Sequence, residues 1–220
     1  MRINMAIKES NTLQQALSRS AAKFHGNIAC RILQKDNTYK TLTYKQLFEN
    51  AMELAAFLHS KKLKPQTCIG IYAPNCPEWV IVCNAILLNK NIVLPIDPKN
   101  GSVELSHIIK DAKIDYVFAS SRLAENLRDM NLEGIVILDN PKTPPQLETK
   151  NIFTLDDILK QKKTAYVPPP VDPNDIATII YTSGTTGEPK GVILAHKNFF
   201  ANLEAVSELF ECYPEDEFLS

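Results

Sequence analysis

Residues 68–94 read Cys68-Ile-Gly-Ile-Tyr72, then Ala73-Pro-Asn-Cys-Pro77, then Glu78-Trp-Val-Ile-Val-Cys-Asn-Ala-Ile-Leu-Leu88, and finally Asn89-Lys-Asn-Ile92-Val-Leu94. An uncharged β-prone run is followed by an apolar stretch long enough for a helix, and then by a second β run. Pro77 suits a first helical turn, where its missing N–H is not needed. The reading is strand, helix, strand. Working outward, the pattern continues with a helix around Val103–Ala112, a strand Tyr116–Ala119, a short helix over Arg122–Met130 and a strand Ile135–Leu138. Short uncharged β runs separated by helices imply βαβ units and a parallel sheet covered on both faces. The expected fold class is α/β, a parallel-sheet, layered arrangement with doubly wound character.

On the N-terminal side, residues 12–24 carry Leu13, Ala16, Leu17 and Ser20 at helical spacing. Ile28–Leu33 and Tyr39–Leu42 read as a hairpin closed by Lys35-Asp36-Asn37-Thr38. Thr43 with Gln46 forms a capping-box pattern, opening a helix that should end near Lys61-Lys62.

On the C-terminal side, proline changes the texture. Seven of the 14 prolines lie between Pro141 and Pro173. Residues 141–146 read as a loop, and Thr154 with Asp157 as a capped helical turn. Val167-Pro-Pro-Pro-Val-Asp-Pro173 cannot continue a helix or a central strand, because proline has no N–H to donate. It reads as a stiff extended crossover, with Tyr166, Val167 and Val171 available to dock. The expected organisation is a first α/β subdomain over 1–165, a crossover over 166–174, and the start of a second α/β subdomain over 175–220.

Composition narrows the function classes. The 220 residues are 45% hydrophobic and 22% charged, with 24 Lys plus Arg against 25 Asp plus Glu. A net charge of −1 argues against a nucleic-acid coat, which needs a basic excess to displace counterions. The longest almost unbroken apolar stretch, Trp79–Leu88, contains Asn84 and is too short to cross a bilayer, and Met1–Ser10 has no apolar signal core. A soluble cytoplasmic protein is the expectation. Cys30, Cys68, Cys76, Cys83 and Cys212 show no CxxC pair and read as small reduced core side chains. His25, His59, His107 and His196 are too scattered for a metal cluster and read as ordinary surface or half-buried side chains.

Glycine is scarce, at seven residues, yet Gly184, Gly187 and Gly191 fall within eight positions. They lie in Tyr181-Thr-Ser-Gly-Thr-Thr-Gly-Glu-Pro-Lys-Gly-Val192, between the apolar strands Ile176–Tyr181 and Gly191–Ala195. A helix follows from Asn198. Four hydroxyls (Thr182, Ser183, Thr185, Thr186) surround two glycines that let backbone N–H groups approach a ligand. Pro189 stiffens the exit and Lys190 adds a cation. Polyphosphate oxygens only accept hydrogen bonds, and a loop of hydroxyls and amides mainly donates them. The two commoner phosphate loops do not fit. Pro189 precedes Lys190 and a strand follows, unlike Walker A, and Gly184 and Gly187 do not make a GxGxxG.

The string from Tyr181 to Val192 resembles the signature phosphate loop of the adenylate-forming superfamily, which includes acyl-CoA synthetases, luciferases and nonribosomal-peptide adenylation domains. Only Glu188 stands outside the consensus, at a variable position. Leu42-Thr-Tyr-Lys-Gln-Leu47, Ile71–Trp79, Val93-Leu-Pro-Ile-Asp-Pro98 and Asp175-Ile-Ala-Thr-Ile-Ile180 resemble the family's earlier landmarks in the same order. Leu88-Asn89-Lys90-Asn91 departs, since members usually carry a small Ala-Gly-Ala-like turn there.

The resemblance implies an acyl-CoA synthetase/luciferase-like N-terminal domain, truncated. It implies an acid–CoA ligase that uses ATP, Mg²⁺ and coenzyme A to activate a carboxylic acid, with a fatty acid the leading class. Thr182, Ser183, Gly184, Thr185, Thr186, Gly187 and Lys190 would hold the nucleotide's phosphates, with Thr182 also near the metal. No catalytic residue is expected within residues 1–220. The alternatives are an adenylation domain loading a carrier protein and a non-catalytic nucleotide-binding or interaction module. A homodimer is left open.

Overall fold

The computed structural model describes residues 10–34, 36–139, 151–161, 165–182, 189–209, 213 and 216–218. The chain opens with α1 (Leu13–Lys23), the hairpin β1 (Ile28–Leu33) and β2 (Tyr39–Thr43), and α2 (Tyr44–Ser60). Alternation then sets in: β3 (Cys68–Tyr72), α3 (Pro77–Leu88), β4 (Ile92–Pro95), α4 (Ser102–Asp111), β5 (Tyr116–Ala119), α5 (Ser121–Ala124) and β6 (Gly134–Ile137). After β7 (Ile152–Thr154) and α6 (Leu155–Lys160) come β8 (Ile176–Thr182), β9 (Lys190–Ala195) and α7 (His196–Leu209).

Local signals account for these boundaries. Thr43 accepts the Gln46 N–H at 3.2 Å and Gln46 Oε1 accepts the Thr43 N–H at 2.9 Å, the reciprocal capping box that starts α2. Pro77 sits in the first turn of α3. The tight turn of the first hairpin takes Asn37 to φ 62°, a left-handed conformation that Asn tolerates well. Thr154 caps α6 through the Asp157 N–H at 3.1 Å. The helix expected over Arg122–Met130 is instead a single α turn followed by a 3₁₀ turn, Glu125–Leu127. α7 begins two residues before the expected Asn198, because Asn198 Oδ1 reaches back to accept the Ala195 N–H at 2.8 Å.

Among the described residues the strands form a two-stranded sheet, β1–β2, and a seven-stranded sheet in the order β7-β6-β5-β3-β4-β8-β9. All pairs in the larger sheet are parallel except the outermost, β8–β9. Alternate residues point to opposite faces. Ile69, Ile71, Phe118 and Val136 join a core with Leu54 and Leu58 of α2 and Val82 and Ile86 of α3. Cys68, Tyr72, Val117 and Ile135 join a second core with Leu105 and Ile108 of α4. The expected two-faced parallel α/β sheet is therefore present. Fully burying each of these large side chains contributes about 1.5–3 kcal/mol.

The crossover is docked, but not by all three side chains expected to do it. Tyr166 is half-buried, with its hydroxyl 2.9 Å from Asn89 Oδ1 and 3.2 Å from the Leu88 carbonyl. Val171 is half-buried, whereas Val167 is 87% exposed. The departure at residues 88–91 supplies much of the anchorage. Asn89 Nδ2 donates to Asn91 Oδ1 at 2.7 Å, and Asn91 Nδ2 donates to the Lys64 carbonyl at 2.9 Å. Lys90, held at φ 59°, places Nζ 3.2 Å from the Pro170 carbonyl and 3.1 Å from Asp175 Oδ2. The strand after the crossover then pairs with β4 within the seven-stranded sheet. Its register there is a single pair, Val93–Thr178, reinforced by the Thr178 hydroxyl donating to the Val93 carbonyl at 2.7 Å. Gln66 extends the pairing with its side chain, accepting the Ile176 N–H at 2.8 Å and donating to the Ile176 carbonyl at 3.2 Å.

Cys68 is buried and Cys30, Cys76 and Cys83 are half-buried, all four as free thiols. Cys212 lies outside the described residues. Burial pushes the Cys83 thiol up to about 12. Among the described residues no group of acidic, His and Cys side chains could hold a metal ion. No described helix is long and apolar enough to cross a membrane.

Candidate functional site

β8 and β9 run as an antiparallel ribbon from Ile176–Ala195 to Thr182–Lys190, the last pair in register. The ribbon's open end lies beyond the carboxyl end of β8, and β8 runs parallel to β4. In open α/β sheets that carboxyl edge is where ligands bind. Thr182 and Lys190 are both exposed there, directly opposite one another. The structure thus brings together a hydroxyl and a cationic side chain that are eight positions apart in sequence. Ser183, Gly184, Thr185, Thr186 and Gly187, the other residues expected to contact phosphate, lie outside the described residues.

Gly191 has a visible reason to be glycine. A Cβ at that position would stand 2.8 Å from Ile179 Cγ2 and 3.3 Å from the Tyr181 ring. The missing side chain lets the Tyr181 ring lie across β9, which brings the two strands together just below Thr182 and Lys190.

Two contacts from α4 reach the same place. The Nε2–H of His107 donates to the Pro189 carbonyl at 3.2 Å, and Asp111 accepts the Tyr181 hydroxyl. Burial and the Asp111 carboxylate together push the Tyr181 hydroxyl well above its ordinary pKa. Sequence reading placed His107 among the ordinary histidines and passed over Asp111. Their i, i+4 spacing was the one available signal, and it is too common to point 70 or 82 residues along the chain.

His196, also read as surface or half-buried, is only 2% exposed. Its N–H donates to the Asp175 carbonyl at 3.1 Å, and its Nδ1 accepts the Leu13 N–H at 3.2 Å. Burial pushes its imidazole below the usual value, against the opposing pull of the Asp175 carboxylate.

A layered, mostly parallel sheet with Thr182 and Lys190 paired at the open end of its edge ribbon defines the fold class. The family described as AMP-binding enzyme matches residues 17–220, and the chain belongs to it. It is 31% identical over 219 residues to the long-chain-fatty-acid–CoA ligase of Bacillus subtilis (strain 168), an overlap that takes in 89% of this chain and 38% of that protein. To long chain acyl-CoA synthetase 1 of Arabidopsis thaliana it is 29% identical over 222 residues, 92% of this chain and 34% of the relative. The fold matches that of the fatty acyl-adenylate ligase from L. pneumophila, solved with acyl adenylate and pyrophosphate. That match has a TM-score of 0.72 at 22% identity and covers 92% of this chain and 33% of that one. The chain thus spans about a third of the length of these relatives.

Proposed function

We propose that this chain is the N-terminal part of an ATP-dependent acid–CoA ligase acting on a fatty acid. The carrying observation is the Thr182–Lys190 pair at the carboxyl edge of β8, in a chain of the AMP-binding enzyme family. In the proposed reaction a carboxylate oxygen attacks the α-phosphorus of ATP. The bond from that phosphorus to the pyrophosphate oxygen breaks, leaving an acyl-adenylate. The thiol of coenzyme A then attacks the acyl carbon and AMP departs.

The chain's own contribution is electrostatic. Lys190 and the loop hydroxyls and amides hold the β- and γ-phosphates and stabilise the charge that builds up as pyrophosphate leaves. The exposed Thr182 hydroxyl is a hard oxygen donor of the kind Mg²⁺ takes, so it fits the metal. Magnesium bound there would neutralise phosphate charge. No group in residues 1–220 is assigned to attack or proton transfer, so those groups are placed elsewhere in the longer protein. In that protein, residues 1–165 would form a first subdomain, 166–174 the crossover, and 175–220 the start of a second. A cytoplasmic location accompanies this reading.

The test is fatty-acid-dependent exchange of labelled pyrophosphate into ATP by the full-length protein, followed by CoA-dependent release of AMP. Exchange without any response to CoA would favour an adenylation domain that loads a carrier. Absence of both activities, with nucleotide still bound, would favour a binding module. Residues 1–220 alone should show no exchange.

A further inference from the structure

We propose that His107 and Asp111 are positioning residues that hold Thr182 and Lys190 in place for a bound polyphosphate. This rests on the ligase reading above and adds to it the part of the fold that fixes the phosphate-binding pair. Lower down, the ribbon rests on the second core through Ile176, Ile179 and Tyr181, but its Thr182–Lys190 end is exposed. β4 pairs with β8 only at Val93–Thr178, so from Ile179 to Thr182 the recorded ladder partner of β8 is β9 alone. An isolated two-stranded ribbon is marginally stable and twists readily. Without further contacts, the exposed Thr182–Lys190 end would be free to twist.

Helix α4 braces that end at two points. His107 and Asp111 are four residues apart and share one helix face. Asp111 takes the hydroxyl of Tyr181, the residue before Thr182 on β8. His107 donates to the carbonyl of Pro189, the residue before Lys190 on β9. One helix face thus contacts the ribbon on both sides of the pair that faces the ligand: at Tyr181, one residue below it on β8, and at Pro189, one residue beyond it where the chain enters β9.

The chemistry at each point suits a brace. Proline has no backbone N–H, so the carbonyl is the only backbone handle at position 189, and the His107 ring N–H supplies the donor. Asp111 is the last residue of α4, at the negative end of the helix dipole, where a carboxylate is disfavoured unless something donates to it. The Tyr181 hydroxyl supplies that donor. The Tyr181 ring in turn lies on β9 because Gly191 leaves room for it. Losing either contact leaves the sheet and its two cores in place but frees the ribbon end to drift. Displacing binding groups by about 1 Å can cost on the order of a hundredfold in rate.

The test uses the full-length protein with Asp111→Ala, Tyr181→Phe and His107→Ala, paired with Asp111→Asn and His107→Gln, which keep an acceptor and a donor. Two readouts are needed: KM for ATP and for the acid in pyrophosphate exchange, and amide hydrogen exchange across residues 190–195. The first three variants should raise KM for ATP about five- to twentyfold, the loss of one hydrogen bond each, while KM for the acid stays within about twofold. They should also speed amide exchange at the start of β9, and the paired variants should restore both. An unchanged KM for ATP in all three variants would overturn the brace. So would equal losses for ATP and acid without rescue. If the wild-type protein shows no acid-dependent exchange, the ligase reading fails. The brace is then decided by amide exchange alone, and fails too unless Asp111→Ala accelerates it and Asp111→Asn restores it.

Discussion

The Nδ1 of His196 accepts the backbone N–H of Leu13 at 3.2 Å, joining residues 183 apart in sequence. Leu13 is the first residue of α1, and its N–H is one of the donors a helix start leaves without an intrahelical partner. The buried Thr12 side chain satisfies another by accepting the Gln15 N–H at 3.2 Å. A side chain at the start of the last described helix therefore completes the cap of the first.

That contact predicts a pH dependence. Protonation would remove the Nδ1 lone pair and set a positive charge at the positive end of the α1 dipole. The folded-state pKa is lowered, so the unfolded chain takes up the proton first. The stabilisation is whole above the ordinary value of 6.5 and is lost as pH falls from there through the folded value. His196→Asn, whose Oδ1 can accept the same N–H, should remove this part of the acid sensitivity while keeping the fold. Unfolding midpoints between pH 8 and pH 5 measure it, and parallel curves for the two proteins would count against it.

Lys190→Ala in the full-length protein should slow adenylate formation by about ten- to a hundredfold, the loss of one charge-assisted contact to phosphate. The unfolding midpoint should barely move, since Lys190 is exposed. Pyrophosphate exchange and thermal unfolding on the same preparation separate the two effects. An unchanged exchange rate removes Lys190 from the site.

Gly191→Val should cost about 1–3 kcal/mol, because branched bulk would be forced against Ile179 and the Tyr181 ring. Gly191→Ala should cost less, as only Cβ must be fitted. Denaturant titration gives the ordering. A Val variant as stable as wild type would mean that the ribbon adjusts freely.

Lys90→Gly should change stability by less than about 1 kcal/mol, since relief of a left-handed backbone offsets the loss of the Asp175 pair. Lys90→Val should be clearly destabilising, because a β-branched residue is strained at φ 59° and makes no ion pair. Comparing the two by denaturant titration tests this. A Val variant no worse than the Gly variant would show that the backbone angle does not matter.

Much of the fold was legible because its signals are local. Pro77 opening α3, Thr43 with Gln46 at the start of α2, and the apolar runs of β3 to β6 all act within a few residues. Phe118 and Val117 alternate between faces because a strand has a two-residue period. Asn89-Lys90-Asn91 was the reverse case. It stood out only as a departure from a small turn. Its partners at Lys64, Tyr166, Pro170 and Asp175 come from other segments, so its role as an anchor for the crossover had no local sign.

The sequence by itself determined the layered α/β class, the family and the chemistry that a Ser/Thr/Gly/Lys string can offer a polyphosphate. Those follow from residue type and short-range order. Only the tertiary structure decided that β8 sits beside β4, that Gln66 stands in as its neighbour at Ile176, that His196 caps α1, and that His107 and Asp111 reach the ribbon on either side of Thr182 and Lys190. Each of these depends on packing between segments 70 to 183 residues apart. Hydrogen-bond partners at such range are set by where the burial of two apolar faces brings the backbone, and no local pattern encodes that.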